Sequence, residues 1–161
     1  MKLLIPRVVK GWPLGRLVRP VTSGFIDNGY GRKYASQPDA PFWSEAFSCF
    51  NLRPDCVEPT WKNLTGNHYL EGAFTHDHID WAKDDYVHVR CNLMINKPPV
   101  GGNPILDGEE VHVDEGDLWL CLASLERHSS TPISGGERII FSFGALVSKD
   151  QVFKILKEAS I

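Results

Sequence analysis

Val87-His-Val-Arg-Cys-Asn-Leu-Met-Ile95 alternates at every position: Val87, Val89, Cys91, Leu93 and Ile95 fall on one side, and His88, Arg90, Asn92 and Met94 on the other. A period of two belongs to an extended strand with one face in the core. Its second face carries an imidazole, a guanidinium and an amide, so it lines a cavity or meets solvent. Further strand signals run from Asn67 to Phe74, Glu110 to Val113, Leu118 to Leu122 and Arg138 to Phe143. Turn chemistry separates them in Lys97-Pro-Pro-Val-Gly-Gly-Asn-Pro104, Asp107-Gly108, Glu115-Gly116 and Ser134-Gly-Gly136. Gly101 and Gly102 read as turn residues that need positive φ. Many short strands with this punctuation indicate a mainly β protein, a sandwich or barrel and not a βαβ sheet.

The chain has 161 residues, 42% of them apolar, which suits one domain with a proper core. Residues 1–60 read as an irregular supporting region, broken by Pro6, Pro13, Pro20, Pro38, Pro41, Pro54 and Pro59, with one short helix around Trp43 to Phe50. Residues 61–147 hold the β core. Residues 148–161 begin with a capping-box pattern, Ser148 to Gln151, and place Val152, Leu156 and Ala159 on one face of a short C-terminal helix.

A net charge of −3 provides no electrostatic footprint for phosphate backbones or anionic membranes, so no nucleic-acid or membrane partner is expected. No apolar run approaches the ~20 residues of a membrane span. Cys49, Cys56, Cys91 and Cys121 form no C-x-x-C pair, and Met1-Lys-Leu-Leu-Ile-Pro-Arg7 is too short an apolar run for a signal peptide, so a reducing, cytoplasmic setting is expected. Asn63-Leu-Thr65 matches a glycosylation acceptor, a triplet without weight unless the chain is secreted.

The chemistry lies in His78-Ile-Asp80, His128 and Arg138. One intervening residue sends His78 and Asp80 to the same face of an extended segment, where both can grip one ion. Two imidazoles and one carboxylate occupy one face of an octahedral Fe(II) ion and leave positions open for oxygen-activating chemistry. His128 follows the strand run Asp117-Leu-Trp-Leu-Cys-Leu-Ala123, so a closed sheet can bring it to the earlier pair. Arg138 and Ser142 share a face of their strand and could meet one carboxylate, which is how an acidic cosubstrate would be held.

In these spacings the chain resembles the Fe(II)- and 2-oxoglutarate-dependent dioxygenases: H-x-D, about fifty residues, H, and ten more to Arg. Asn67-His-Tyr69-Leu-Glu-Gly72, followed by His78, has the spacing of the alkylation-damage demethylases. Leu93-Met-Ile-Asn96, Gly101-Gly102, Gly116-Asp117 and His128-Ser-Ser-Thr-Pro132-Ile-Ser-Gly135 resemble the prolyl-hydroxylase-like branch. Arg90-x-Asn92 is similar to the aspartyl/asparaginyl-hydroxylase-like enzymes. The resemblance spans residues 67–143.

It implies a double-stranded β-helix, a jelly-roll or cupin-like barrel with a few helices. It also implies Fe(II) on His78, Asp80 and His128, and 2-oxoglutarate paired with Arg138 and contacted by Asn67 and Tyr69. Arg90, Asn92 and Ser142 are further candidates on the same faces. The implied reaction hydroxylates an unactivated C–H bond of a small molecule, amino acid or peptide side chain with O2, releasing succinate and CO2. Asp80, a carboxylate where a halogenase has Gly or Ala, favours hydroxylation. One alternative is a cupin-like metal- or ligand-binding module without turnover, against which Arg138 speaks. A weaker one is a nucleic-acid demethylase, disfavoured by the acidic balance and a single downstream arginine.

Blander roles stand beside these. His76 competes with His78 as ligand, and His68, His88 and His112 read as structural or solvated. Arg138 could pair with Glu137, Arg90 could pair with Asp84 or Asp85, and Asn67 and Tyr69 could be ordinary core. Trp43, Trp61 and Trp119 read as core, while Trp81 could wall a substrate pocket.

Overall fold

The computed structural model describes residues 8–11, 26–27, 31–37, 43–54 and 63–159. In chain order the elements are β1 Val8–Val9, β2 Ile26–Asp27, β3 Arg32–Gln37, α1 Trp43–Ser48, β4 Asn63–Tyr69, β5 Tyr86–Asn96 and β6 Pro104–Leu106. There follow β7 Glu109–Glu110, β8 Leu118–Cys121, β9 His128–Ser130, β10 Arg138–Ser148 and α2 Lys149–Glu158. They form two antiparallel sheets, a larger one of order β1-β8-β5-β10-β4-β3-β2 and a smaller one of order β7-β6-β9. The mainly β architecture expected from the sequence is the observed one. Trp61 and Cys56 lie outside the described residues.

The larger sheet is amphipathic in the manner its central strand dictates. Val87, Val89, Cys91 and Leu93 of β5, Leu118 and Leu120 of β8, and Ile139, Phe141, Phe143, Ala145 and Val147 of β10 form one buried layer. Against it pack Trp43, Ala46 and Phe47 of α1 and Val152, Ile155 and Leu156 of α2. Helices of six and ten residues are not stable in isolation. Burial of each large side chain, worth roughly 1.5–3 kcal/mol, holds them. The Trp43 indole N–H also donates to Gly144 O at 2.9 Å.

The opposite face of the larger sheet looks toward the smaller one. Register sets it out in rows across the strands: Tyr69 beside Arg138; Asn67, Ile140 and Met94; Ser142, Asn92 and Trp119; Gly144, Arg90 and Cys121. A bulge between Ile139 and Ile140 opposes one extra residue of β5, close to where Arg138 opens β10. Such insertions increase local twist and re-aim side chains.

Several boundaries differ from expectation. The segment after Tyr69 leaves the sheet because Gly72 adopts φ 77°, so β4 ends there instead of reaching Phe74. Glu109–Glu110 form β7, whereas Val111 to Val113 run as coil. Gly101 and Gly102 have φ of 73° and 74°, as the turn reading requires. Helix α2 forms where expected, but Ser148 makes no side-chain cap bond. Gln151 is drawn elsewhere: its amide accepts from Arg53 N and donates to Arg53 O, the latter at 2.9 Å, so it ties α2 to the chain after α1.

A candidate metal and carboxylate site

The His78 segment joins the smaller sheet as a short extended run. His78 N donates to His128 O at 3.1 Å, His128 N donates to His78 O at 2.9 Å, and Asp80 N donates to Ala123 O at 2.7 Å. Residues fifty apart in sequence thus become direct neighbours, with imidazole centroids 4.2 Å apart. His78 Nε2 lies 3.2 Å from Asp80 Oδ1, and His128 Nε2 3.9 Å from the same oxygen. The possible ligand atoms of His78, Asp80 and His128 all fall within 4.8 Å of one another. Neighbouring donors on an octahedral ion with bonds of ~2.1 Å lie about 3 Å apart, so the trio has the dimensions of one face of such an ion.

Tautomers support the same use. His78 Nδ1 lies 2.6 Å from His76 O, and His128 Nδ1 lies 3.2 Å from Glu126 O. An Nδ1–H donated to a carbonyl leaves the Nε2 lone pair of each ring for a metal. His76 therefore contributes its carbonyl, while its ring packs on Phe74 with centroids 4.5 Å apart. It is not part of the trio.

Electrostatics keep these groups in the state a cation needs. Burial pushes the Asp80 carboxyl up, but the contact with His88 and the charges of His88, His128 and Arg90 outweigh it, and the group stays below its ordinary value. His128 is lowered, by burial first and by His78 and His88 in addition, against the Glu126 carbonyl and Asp80. A carboxylate and a neutral ring result at neutral pH.

Arg138 begins β10 on the same interior face and is 2% exposed. Its guanidinium carbon stands 4.9 Å from the Tyr69 ring centroid and 6.0 Å from that of Trp119, both within cation–π reach. Glu137 takes no part: its carboxylate meets His68 Nε2 at 2.5 Å. Arg90 Nη1 donates to Ser142 Oγ at 3.3 Å, and Tyr69 Oη lies 3.1 Å from Thr75 Oγ1. Ser142 is thus engaged by Arg90, a contact the shared-face reading with Arg138 did not anticipate.

A cavity of about 240 Å³ connects the two ends. His78, Asp80, His128, Arg138, Tyr69, Asn67, Arg90, Asn92 and Ser142, all nine residues singled out from the sequence, line it. Thr75, Trp119 and Cys121 line it too and were not selected. Trp119 is buried, as expected, but at the cavity wall and not in the main core. Trp81, beside Asp80, is 70% exposed and is not among the lining residues. His88 is the instructive miss. Read as structural or solvated, it is buried with Nδ1 3.1 Å from Asp80 Oδ2. Its place on the polar face of β5, two residues before Arg90, was the available signal.

No protein-family model matches the sequence, and no curated protein matches it in sequence. Solved structures do match in three dimensions. A prolyl-4-hydroxylase from Pseudomonas putida is 18% identical, with a TM-score of 0.53 over 79% of each chain. The collagen prolyl hydroxylase of Paramecium Bursaria Chlorella virus-1, solved as a 2-oxoglutarate complex, is 13% identical, with a TM-score of 0.51 over 78% of this chain and 86% of that one. KdgF from Halomonas sp. is 13% identical, with a TM-score of 0.48 over 75% of this chain and 84% of that one. The fold is the jelly-roll double-stranded β-helix. At these identities the likeness is one of fold. Among the described residues no helix is long and apolar enough to cross a membrane.

Proposed function

We propose that the protein is an Fe(II)- and 2-oxoglutarate-dependent dioxygenase that hydroxylates a C–H bond of a small molecule, amino acid or peptide side chain. The observation that carries this reading is one cavity lined at once by the His78, Asp80 and His128 trio and by the Arg138 guanidinium. A bare metal-binding module has no need of a buried cation on the same cavity. The donor set of two neutral imidazoles and one carboxylate suits Fe(II) with open positions. When bound, the iron with 2-oxoglutarate supplies the oxidising power for hydroxylation, with succinate and CO2 as co-products.

The chain's own residues bind, orient and shelter. His78, Asp80 and His128 would hold the metal through Nε2, Oδ1 and Nε2. Arg138, steadied between Tyr69 and Trp119, would pair with the distal carboxylate of 2-oxoglutarate, and burial strengthens that charge-assisted pairing. Asn67, Tyr69, Asn92, Ser142 and Arg90 supply hydrogen-bonding groups along the cavity between these ends. Ile140, Leu106 and Trp119 contribute its apolar wall and restrict water.

The test is direct. Under anaerobic conditions 2-oxoglutarate should bind with Fe(II) present and poorly without it, and admission of O2 should yield succinate, with Asp80→Ala inactive in both assays. Metal-independent binding of 2-oxoglutarate, or succinate formation undiminished in Asp80→Ala, would refute the assignment.

A further inference from the structure

Asp80 is held from both sides, and the two sides differ. Its Oδ1 faces the trio, 3.2 Å from His78 Nε2, whereas its Oδ2 faces away, 3.1 Å from His88 Nδ1. The His88 side chain is 4% exposed, and its backbone is fastened to the loop that carries the other contacts. His88 N lies 2.8 Å from Ser124 Oγ, and Ser124 N donates to His88 O at 3.3 Å. The residue before Ser124 receives the Asp80 backbone N–H, and Glu126 two residues on orients the His128 ring. One turn therefore fixes Asp80, His88 and His128 relative to each other.

From this geometry we infer that His88 is a positioning residue that holds Asp80 to one-point metal coordination, an inference that rests on the metal-site reading above. A carboxylate left to itself can bind a cation through one oxygen or through both. Two-point binding by Asp80, with His78 and His128, would fill four of six octahedral positions and leave two. Two are enough for a chelating cosubstrate and leave none for O2. With Oδ2 in contact with the His88 ring, 3.1 Å from Nδ1, Asp80 offers Oδ1 alone, and three positions stay open. His88 thus governs how many sites the metal has to spare, without touching metal, cosubstrate or substrate.

The experiment uses Mn(II) as probe on the full chain, because water-proton relaxation of the bound ion counts its coordinated waters. Three variants separate the donor from mere bulk. His88→Asn keeps an N–H near the position of Nδ1, His88→Gln moves it toward the position of Nε2, and His88→Leu removes it. Wild type and His88→Asn should show three coordinated waters. His88→Gln and His88→Leu should show one fewer, with Mn(II) affinity about ten- to a hundredfold weaker and thermal unfolding that remains cooperative. Should His88→Leu not fold, His88→Gln carries the comparison. Three waters and unchanged affinity in folded His88→Gln or His88→Leu would overturn the inference alone, as would two waters in wild type or a folded His88→Asn that behaves like His88→Leu. No Mn(II) binding by wild type would overturn the metal reading and this inference with it.

Discussion

His78 and His128 hydrogen-bond each other's backbone in both directions, at 3.1 and 2.9 Å. In an antiparallel pair, residues directly opposite send their side chains to the same face, so this one bridge is what makes two distant imidazoles a common donor pair. The bond lies in the backbone, which separates the fold from the function of the side chains.

It follows that His78→Ala keeps the bridge and the sheet but loses a ligand. Metal affinity should fall by more than ~100-fold, since even outer-shell partners account for ten- to a hundredfold. His76→Ala should leave affinity within a few-fold of wild type, because the His76 carbonyl is what touches His78. Titration with Mn(II) or anaerobic Fe(II), paired with thermal unfolding, checks both. A larger loss in His76→Ala than in His78→Ala would reverse the ligand assignment.

Arg138→Ala should weaken 2-oxoglutarate binding by roughly 10- to 100-fold, the size of a buried charge-assisted interaction of ~1.5–3 kcal/mol. Metal affinity should hardly change, since Arg138 makes no contact with the trio. Calorimetric titration of each ligand on the two proteins provides the measurement. Equal loss for both would remove Arg138 from the carboxylate role.

The pH dependence has a definite sign. Burial, together with His78 and His88, holds His128 below its ordinary value, and burial does the same for His88, reinforced by Arg90 and opposed by Asp80. On acidification the unfolded chain therefore takes up protons first, near the ordinary histidine value of ~6.5. Stability should fall as pH drops from about 6.5 through the lower folded-state values, and metal affinity should follow once His128 protonates. Urea midpoints of the metal-free protein from neutral to mildly acidic pH should show this decline, with a shallower slope in His128→Gln. A midpoint that rises on acidification over that range would contradict it.

Gly101→Ala should be severely destabilising. Its φ of 73° disfavours any side chain, and an added Cβ would sit 1.8 Å from the Pro132 carbonyl oxygen, so backbone must move. Gly72, at φ 77°, has nothing within 4 Å of that position. Gly72→Ala should thus cost only the left-handed-backbone penalty of about 1–2 kcal/mol, and Gly101→Ala well beyond the ~1–3 kcal/mol of a strained residue. Chemical denaturation of the two variants checks the difference.

The sequence by itself determined β4, β5, β8 and the first half of β10 in the larger sheet, because alternation in β5 and β10 is a local record of which side faces the core, whereas β1, β2 and β3 fall in the stretch it read as irregular. The same alternation put Arg90, Asn92, Arg138 and Ser142 on the interior side, and the H-x-D spacing marked His78 and Asp80 as a pair. What only the tertiary structure decided was how separate strands meet: the His78 and His128 bridge, the cation–π seating of Arg138 on Tyr69 and Trp119, and the place of His88 behind Asp80. The Gln151 half of the capping box was likewise a tertiary matter, since the Arg53 backbone, about a hundred residues away, engages its amide. Periodicity along a chain reports the direction of a side chain from its own backbone, whereas which distant segments become neighbours depends on how the sheets close, which a local pattern does not encode.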